Sequence, residues 1–286
     1  MTILPSAGLR ARVALDKHAF RTTHSLGQNF LLDDAFLSRL LDETGVGAGD
    51  CVLEIGPGAG VMTALIAERA EKVLAVELDQ RLEPVLSDVL RPHSNASVLL
   101  CDFLKSDVDR LIEDAFGAQP YRVIANLPYY ITADILMRLT TADCLPESIS
   151  IMVQKEAAER IMSAPGEKQW CALAATIRLY GSAEILEEVP RDRFDPAPHV
   201  DSCFIQIRRH EKPIVETSDL RLLRRTIQCA FAMRRKTLAN NLKASFGLNA
   251  EEALSVLERA GVPANARGEA LDLAALCRVS EALKNR

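Results

Sequence analysis

The sequence predicts an α/β protein with a doubly wound, mostly parallel sheet and a small C-terminal all-helical domain. Short apolar, β-branched runs alternate with helical spacing from about residue 31 to residue 210. A glycine-rich loop, Gly56 to Gly60, separates the first of these runs from a helix. From residue 211 the apolar spacing is helical only. We therefore expect a basic N-terminal arm (1–30), an α/β domain (31–210) and a helical domain (211–286).

The predicted elements of the α/β domain come in a regular order. Asp33 and Asp34 can cap a first helix, because apolar residues at helical spacing begin at Phe36. Seven apolar runs predict strands at residues 51–55, 72–76, 98–101, 121–125, 148–153, 183–189 and 203–208. The helices between them are predicted to end at Arg69 and Leu90 and to cover residues 132–139, 155–162 and 171–180. The last two strands are expected to form an antiparallel hairpin that closes the sheet.

The helical domain carries most of the basic excess in a chain of net charge −5. Its four helices are predicted at residues 220–233, 236–246, 250–260 and 271–283. Residues 208–245 contain ten Lys and Arg against three Asp and Glu, whereas residues 31–207 contain 15 against 29. The arm holds four against one. An acidic body with basic flanks indicates a polyanion docked along one side; the alternative is a solvated helical face.

Composition excludes several classes of protein. With 48% hydrophobic and 26% charged residues, the chain is typical of a globular protein with a sizeable core. No window approaches the ~18 consecutive apolar residues of a membrane span, and residues 1–20 lack the apolar core of a secretory signal. We expect a cytoplasmic protein with no membrane partner. Its cysteines stand singly and predict reduced thiols rather than disulfides or a metal site: Cys51, Cys101, Cys144, Cys171, Cys203, Cys229 and Cys277.

Three predicted strand ends carry groups suited to an adenosine-bearing ligand. The G-x-G-x-G loop that begins at Gly56 lets backbone N–H groups approach a ligand closely. Glu77 ends the second strand, where it can accept hydrogen bonds from ribose hydroxyls. Asp102 follows the third strand and can accept one from the exocyclic amine of adenine. Each feature alone is more often a structural turn or a helix N-cap, but the three together favour the ligand.

The fourth predicted strand ends at Asn126-Leu127-Pro128-Tyr129. A strand followed by a proline turn, with packed tyrosines, is the simplest interpretation. The same residues also offer two acceptors to an adenine amine, the Asn126 side-chain carbonyl and the Leu127 backbone carbonyl. Pro128 fixes the turn that aims these carbonyls, and Tyr129 can stack on an extruded base.

These motifs resemble known families. Three of them resemble the class I S-adenosylmethionine-dependent methyltransferases that act on adenine N6: Glu54-Ile55-Gly56-Pro57-Gly58-Ala59-Gly60, Val76-Glu77-Leu78-Asp79 and Asn126-Leu127-Pro128-Tyr129. Four more resemble the bacterial small-subunit rRNA adenine dimethyltransferase family: Gly27-Gln28-Asn29-Phe30-Leu31, Gln154-Lys155-Glu156, Phe194-x-Pro196-x-Pro198-x-Val200-Asp201-Ser202 and Arg234-Arg235-Lys236-Thr237-Leu238-x-Asn240-Asn241-Leu242. The resemblance extends from about residue 21 to residue 283.

The resemblance implies a Rossmann-like methyltransferase fold and a specific reaction. The reaction would be dimethylation of adenine N6 at two adjacent adenosines near the 3′ end of 16S rRNA, as part of small-subunit maturation. The cofactor would be S-adenosyl-L-methionine, with S-adenosylhomocysteine as product and no metal. The partner would be the 30S subunit or its precursor, bound by a monomer. Cofactor contacts are expected from Asn29, Leu31, Gly56, Glu77, Asp102 and Asn126; Asn29 and Leu31 follow from the family alone.

Catalysis by such an enzyme requires orientation of a weak nucleophile rather than a general base, because the lone pair of the adenine amine is delocalised into the ring. Phe194, in the proline-framed loop, is predicted to contact the face of the base opposite Tyr129. Two positions depart from the usual family pattern. Tyr130 stands where many members have Asn, and Gln169-Trp170-Cys171 stands where many have an aromatic residue followed by Gly. These departures leave the shape of the pocket open.

RNA contacts are predicted from basic residues in the helical domain and the arm. The helical set is Arg224, Arg225, Arg234, Arg235, Lys236 and Lys243, and the arm set is Arg10, Arg12, Lys17 and Arg21. The alternative is that the Arg234-Arg235-Lys236 run merely starts a solvated helix. The rival functions are a 23S rRNA or DNA adenine-N6 methyltransferase and a non-enzymatic assembly factor that binds immature 30S subunits. A dehydrogenase is disfavoured because the glycine spacing differs from G-x-G-x-x-G.

Overall fold

The computed structural model describes residues 5–23 and 27–284. The chain divides into two compact units, an α/β unit (Met1–Ala158 and Glu184–Arg208) and a helical unit (Glu159–Ala183 and Arg209–Arg286). The expected α/β domain (31–210) therefore included residues 159–183, which the structure groups with the helical unit. Residues 159–183 group with the C-terminal helices because Trp170, Ala174 and Ala175 are buried in the same hydrophobic cluster as Leu223 and Ile227.

The strands and helices occur in alternation, as expected. The strands are β1 Phe30–Leu31, β2 Cys51–Ile55, β3 Lys72–Glu77, β4 Ala96–Leu100, β5 Tyr121–Asn126, β6 Ser148–Gln154, β7 Gly181–Val189, β8 Phe194–Asp195 and β9 Ser202–Arg209. The helices up to β7 are α1 Ala7–Lys17, α2 Asp34–Thr44, α3 Val61–Ala67, α4 Glu83–Leu90, α5 Val108–Phe116, α6 Thr132–Thr141, α7 Lys155–Met162 and α8 Ala172–Tyr180. Those that follow β9 are α9 Leu220–Ala232, α10 Leu238–Phe246, α11 Ala250–Arg259 and α12 Leu273–Lys284.

The main sheet has seven strands in the order β4-β3-β2-β5-β6-β9-β7. The five neighbouring strands β4, β3, β2, β5 and β6 are parallel, and β9 runs antiparallel to β6. The predicted doubly wound, mostly parallel fold is confirmed. From β2 the chain moves outward to β3 and β4, and then returns to β5 on the other side of β2. The carboxyl ends of β2 and β5 therefore form the switch point at which open α/β sheets bind ligands.

A second, two-stranded sheet was not predicted from the sequence. β1 and β8 pair antiparallel, with Phe30 opposite Asp195 and Leu31 opposite Phe194. Two residues are too few to show strand alternation. The pairing joins the segment that carries Asn29 and Leu31 to the proline-framed loop.

Two helices of the α/β unit are clearer in the structure than in the sequence interpretation. α5 was not predicted, although Asp107 caps it and Val108, Leu111, Ile112 and Phe116 bury one face. The basic N-terminal arm contains α1. This helix packs on α4, and the Gly8 backbone N–H donates to Asp34 Oδ2 at 2.8 Å. A side chain at Gly8 would lie 2.2 Å from the Leu32 carbonyl oxygen, so only glycine fits there.

The helical unit is built around a fully buried tryptophan. Trp170 is 0% exposed, donates from Nε1 to the Leu271 carbonyl at 3.0 Å and meets the Phe231 ring edge-on. Its role is therefore in this core. The Arg234–Lys236 run lies in a turn between α9 and α10, and the helix begins only at Leu238. Among the described residues, no helix has the length and apolar character needed to span a bilayer.

Candidate active site

A cavity of about 310 Å³ opens in the α/β unit at the carboxyl ends of the parallel strands. Four segments line it: 27–31 from the arm, 55–59 at the glycine loop, 101–104 after β4 and 126–131 after β5, with Glu77 and Leu78 at the end of β3. Nine of the predicted site residues meet here: Asn29, Leu31, Gly56, Glu77, Asp102, Asn126, Leu127, Pro128 and Tyr129. Their roles stay predictions, but the fold brings all nine to one place.

The glycine loop forms one wall of the cavity. Gly56, Gly58 and Gly60 have φ values of +73°, +54° and +79°, which favour glycine. Gly58 also needs a bare Cα because a Cβ there would lie 2.9 Å from the Phe30 ring. Phe30 thus packs directly on the loop and brings the neighbouring Asn29 and Leu31 to the cavity.

Glu77 is tied to this loop at the end of β3. Its Oε2 accepts a hydrogen bond from the Gly58 N–H at 3.1 Å and its Oε1 accepts one from the Asp79 N–H at 2.8 Å. Burial raises the pKa of Glu77, while the backbone hydrogen bonds oppose that rise. A carboxylate held at the cavity wall by N–H donors still has acceptor capacity for ligand hydroxyls.

Asp102 begins a short turn at the other side of the cavity. Its Oδ1 accepts from the Leu104 N–H at 3.0 Å, and its Oδ2 lies 3.0 Å from Lys105 Nζ. Arg138, from α6, braces this turn by donating to the Leu104 carbonyl at 2.7 Å and to the Ser106 carbonyl. Arg138 could not be singled out from local sequence patterns, because its two partners lie more than 30 residues away.

Glu54 lies behind the glycine loop as a fully buried acid. Neither of its carboxylate oxygens, nor the nearby Thr63 hydroxyl, has a hydrogen-bond partner within the described parts of the chain. Burial raises the pKa of Glu54 to about 8, and the neighbouring Glu77 adds to the rise. Burial therefore favours the protonated, neutral form of this side chain, and shifted acids of this kind are commonest near functional sites.

Asn126 ends β5 with its two amide atoms in different roles. Its Nδ2 donates to the Asn29 backbone carbonyl at 3.2 Å. Its Oδ1 has no hydrogen-bond partner among residues 5–23 and 27–284 and remains available as an acceptor. Pro128, with φ −54°, accepts from the Ile131 N–H at 3.2 Å and so closes the turn after Leu127. The turn that follows the two predicted carbonyl acceptors is thus closed by a backbone hydrogen bond.

The two tyrosines differ in burial. Tyr129 is half-buried, and its hydroxyl lies 2.7 Å from the hydroxyl of Ser202 in a shared hydrogen bond. Burial raises the pKa of Tyr129, partly offset by this bond. Tyr130 lines the cavity and is 64% exposed. It belongs to the rim rather than to the packing beneath.

A polar network, which the sequence interpretation missed, explains why the arm reaches the site. Gln28 Nε2 donates to Asp79 Oδ2 at 2.8 Å, and Gln28 Oε1 accepts from the Thr23 N–H at 2.8 Å. Arg81 donates to both oxygens of Asp79, at 2.9 and 2.6 Å. The Arg81 hydrogen bonds are the main reason that the pKa of Asp79 is lowered. The only sequence signal for this network was that Gln28 and Asp79 each lie within a motif quoted above.

Phe194 is placed differently from its predicted role. Its side chain is 5% exposed and packs in the hydrophobic core of the α/β unit, and it does not line the cavity. A large apolar ring gains more from this burial than from an exposed position. Contact of Phe194 with a substrate base stays a prediction without support from its position.

The predicted RNA-binding residues of the helical unit lie on α9, on α10 and in the turn between them. Arg235, Lys236 and Lys243 are exposed. Several of the arginines have structural partners; Arg225 donates to the Ser245 carbonyl at 2.9 Å, and Arg234 donates to the Lys168 carbonyl at 2.8 Å.

Two of the arm residues also have partners within the α/β unit. Arg10 donates to the Val89 carbonyl at 3.3 Å, and Lys17 pairs with Asp88 at 2.7 Å. Arg12 and Arg21 are exposed. RNA binding by either set is a prediction that concerns mainly the exposed members.

Comparison with known proteins gives consistent matches. The family model described as ribosomal RNA adenine dimethylase matches residues 19–284. A protein named ribosomal RNA small subunit methyltransferase A from Streptococcus gordonii is 41% identical over 278 residues, 96% of each chain. Its namesake from Alkaliphilus metalliredigens is 40% identical over 265 residues, 92% of each chain.

Two solved structures share the architecture. The structure of the 23S rRNA methyltransferase ErmE is 26% identical with a TM-score of 0.64, over 90% of this chain and 100% of that one. A dimethyladenosine transferase from Plasmodium falciparum has a TM-score of 0.70 at 23% identity, over 86% of this chain and 94% of that one, and shows the same fold.

Proposed function

The chain belongs to the ribosomal RNA adenine dimethylase family, and from this premise we propose that it dimethylates adenine N6 in 16S rRNA with S-adenosyl-L-methionine. The observation that carries the proposal is the state of Asn126. Its amide nitrogen is engaged by the Asn29 carbonyl, which leaves Oδ1 as an acceptor in the same cavity as Glu77 and Asp102. N6 methyl transfer requires a hydrogen-bond acceptor for the adenine amine and a binding site for the adenosine part of the cofactor in the same cavity.

The residues present fit the cofactor. Glu77 would hold the ribose hydroxyls and Asp102 the adenine amine, while the backbone at Gly56 allows close approach of the methionine part. The bare Cα of Gly58, packed under Phe30, belongs to the cavity wall and keeps the loop backbone accessible to a ligand. When bound, S-adenosylmethionine supplies an electrophilic methyl group.

The chain itself orients the amine. Asn126 Oδ1 and the Leu127 carbonyl would accept the two N6 hydrogens and so aim the nitrogen lone pair. These carbonyl dipoles would also stabilise positive charge that develops on nitrogen during transfer. Tyr129 would hold the base by stacking, worth on the order of 1–3 kcal/mol. Since the monomethyl product must turn to present its last hydrogen, the rim near Tyr130 has to accommodate one methyl group.

The choice of 16S rRNA rests on the degree of similarity. The relatives named for the small subunit are 38–41% identical over most of the chain, whereas the 23S enzyme ErmE is 26% identical. The proposed partner is accordingly the 30S subunit or its precursor. The expected monomeric state stays a prediction.

To test the function, the purified protein is incubated with labelled S-adenosylmethionine and one of three substrates. These are undermethylated 30S subunits, 23S rRNA and adenine-containing DNA. We expect label on the 30S subunits, and mass spectrometry should locate it as dimethyladenosine at two adjacent residues near the 3′ end of 16S rRNA. Label only on 23S rRNA or DNA would overturn the proposed substrate.

A further inference from the structure

The hydroxyl pair formed by Tyr129 and Ser202 joins two segments that are far apart in sequence. The oxygens are 2.7 Å apart. Tyr129 stands on the cavity wall, whereas Ser202 is 1% exposed and does not line the cavity. The partner of the tyrosine is therefore a buried group that no ligand would touch.

The topology explains how Ser202 reaches this position. β9 runs antiparallel to β6, with Ser202 opposite Gln154 and Phe204 opposite Met152. Because β9 is reversed, its first residue lies at the edge where the parallel strands have their carboxyl ends. Met152 in turn pairs with Asn126 across β5 and β6. A continuous hydrogen-bonded ladder thus connects Ser202 to the residue that would accept the adenine amine.

Ser202 is held on both sides. Its backbone is part of the ladder to β6, and the preceding Asp201 accepts from the Arg191 N–H at 3.0 Å. Tyr129, by contrast, lies in a short turn after Pro128. A hydrogen bond from a rigid strand to the far end of a ring in a turn restricts where that ring can swing.

From this geometry we infer that Ser202 is a positioning residue for the acceptor base, acting through the hydroxyl of Tyr129. The inference rests on the proposed function, since it assumes that Tyr129 stacks on the adenine. Ser202 itself touches neither base nor cofactor. Its effect should therefore appear in methyl transfer to RNA and not in the affinity for S-adenosylmethionine.

A double-mutant cycle tests this directly, because Ser202→Ala and Tyr129→Phe remove the same hydrogen bond from opposite sides. Each is expected to lower kcat/KM for undermethylated 30S subunits by roughly 2- to 10-fold, and the double variant should lose no more than the worse single variant. Ser202→Thr, which retains a hydroxyl, should keep most of the activity. The dissociation constant of S-adenosylmethionine, measured by calorimetry, should change less than about twofold.

Ser150→Ala is the matched control. Ser150 is likewise 1% exposed on a strand of the same sheet, and its hydroxyl bonds Gln206 Nε2 at 3.0 Å, but it does not line the cavity. It reports the cost of losing a buried serine hydroxyl and should leave kcat/KM unchanged. Equal losses for Ser202→Ala and Ser150→Ala, or additive losses within the cycle, would overturn the inference. Failure of the proposed function is distinguishable, because the unaltered protein would then not methylate 30S subunits.

Discussion

Gln28 in the arm donates a hydrogen bond from Nε2 to Asp79 Oδ2 beyond the end of β3, at 2.8 Å and across 51 positions of sequence. Asp79 also accepts hydrogen bonds from Arg81, so a single buried carboxylate holds both the arm and the turn after β3. The predicted cofactor contacts Asn29 and Leu31 follow Gln28 immediately. Their place on the cavity therefore depends on a bond that neither of them makes.

Loss of this bond should weaken cofactor binding without touching the cofactor. For Gln28→Ala we expect the dissociation constant of S-adenosylmethionine to rise by roughly 3- to 10-fold, since a hydrogen bond to a charged group is lost at a half-buried site. Calorimetric titration measures it. Gln228→Ala, at an exposed position of α9, is the control and should bind as the unaltered protein does. An unchanged affinity for Gln28→Ala would show that the arm is held by its packing alone.

Glu77 should contribute more, because it combines a predicted ribose contact with its hold on the glycine loop. Glu77→Ala is expected to raise the dissociation constant by at least about tenfold, the loss of roughly two hydrogen bonds. Glu83→Gln, on the exposed face of α4, serves as the control in the same titration. Thermal unfolding without cofactor separates damage to the loop from loss of the contact. If Glu77→Ala binds normally, Glu77 is not part of the cofactor site.

Substitution of Asn126 is expected to separate methyl transfer from subunit binding. Asn126→Ala removes the acceptor Oδ1 while leaving the basic surfaces intact, so we expect kcat to fall on the order of 10²-fold and 30S binding to stay within about twofold. Filter labelling and sedimentation with immature 30S subunits measure the two effects. Asn265→Ala, in an exposed loop of the helical unit, should change neither. Loss of subunit binding together with activity would instead mean that Asn126 is needed to seat the RNA.

The raised pKa of Glu54 predicts that the free energy of unfolding depends on pH. The pKa of this side chain is about 8 in the folded chain against an ordinary value of 4.5. Below pH 4.5 the group is protonated in both states and burial carries no ionisation cost. Between pH 4.5 and 8 the unfolded chain releases the proton while the folded chain retains it, so this group lowers stability progressively as pH rises, and the effect levels off above 8. Across this window the loss is on the order of a few kcal/mol.

Glu54→Gln keeps the shape and removes the titration. The difference in free energy of unfolding between Glu54→Gln and the unaltered chain should therefore shift in favour of glutamine as pH rises from 5 to 8. Denaturant unfolding at several pH values measures this difference, with Glu83→Gln as the control for a surface acid. Parallel pH curves for the Glu54→Gln variant and the unaltered protein would contradict the prediction.

The sequence was sufficient where local pattern determines structure. The β2 and α7 boundaries and the Asp33 cap of α2 follow from apolar spacing and capping chemistry. The strand ends alone indicated that Glu77, Asp102 and Asn126 would converge, because parallel strands share a carboxyl edge. Burial of Phe194 and the β1–β8 pairing could not be predicted in this way, since both depend on contacts between segments more than 160 residues apart.

Lys236 gives the sharpest test of RNA binding. It is exposed in the turn between α9 and α10, whereas Arg234 and Arg225 also brace the helical unit and their removal would mix stability with binding. If Lys236 contacts a phosphate, Lys236→Ala should weaken binding to 16S rRNA at low salt and reduce the slope of log K against log salt by about 1. Arg110→Ala is the matched control, because Arg110 is a 78% exposed cation on α5 of the α/β unit. A salt slope for Lys236→Ala equal to that of Arg110→Ala would remove Lys236 from the RNA-binding surface.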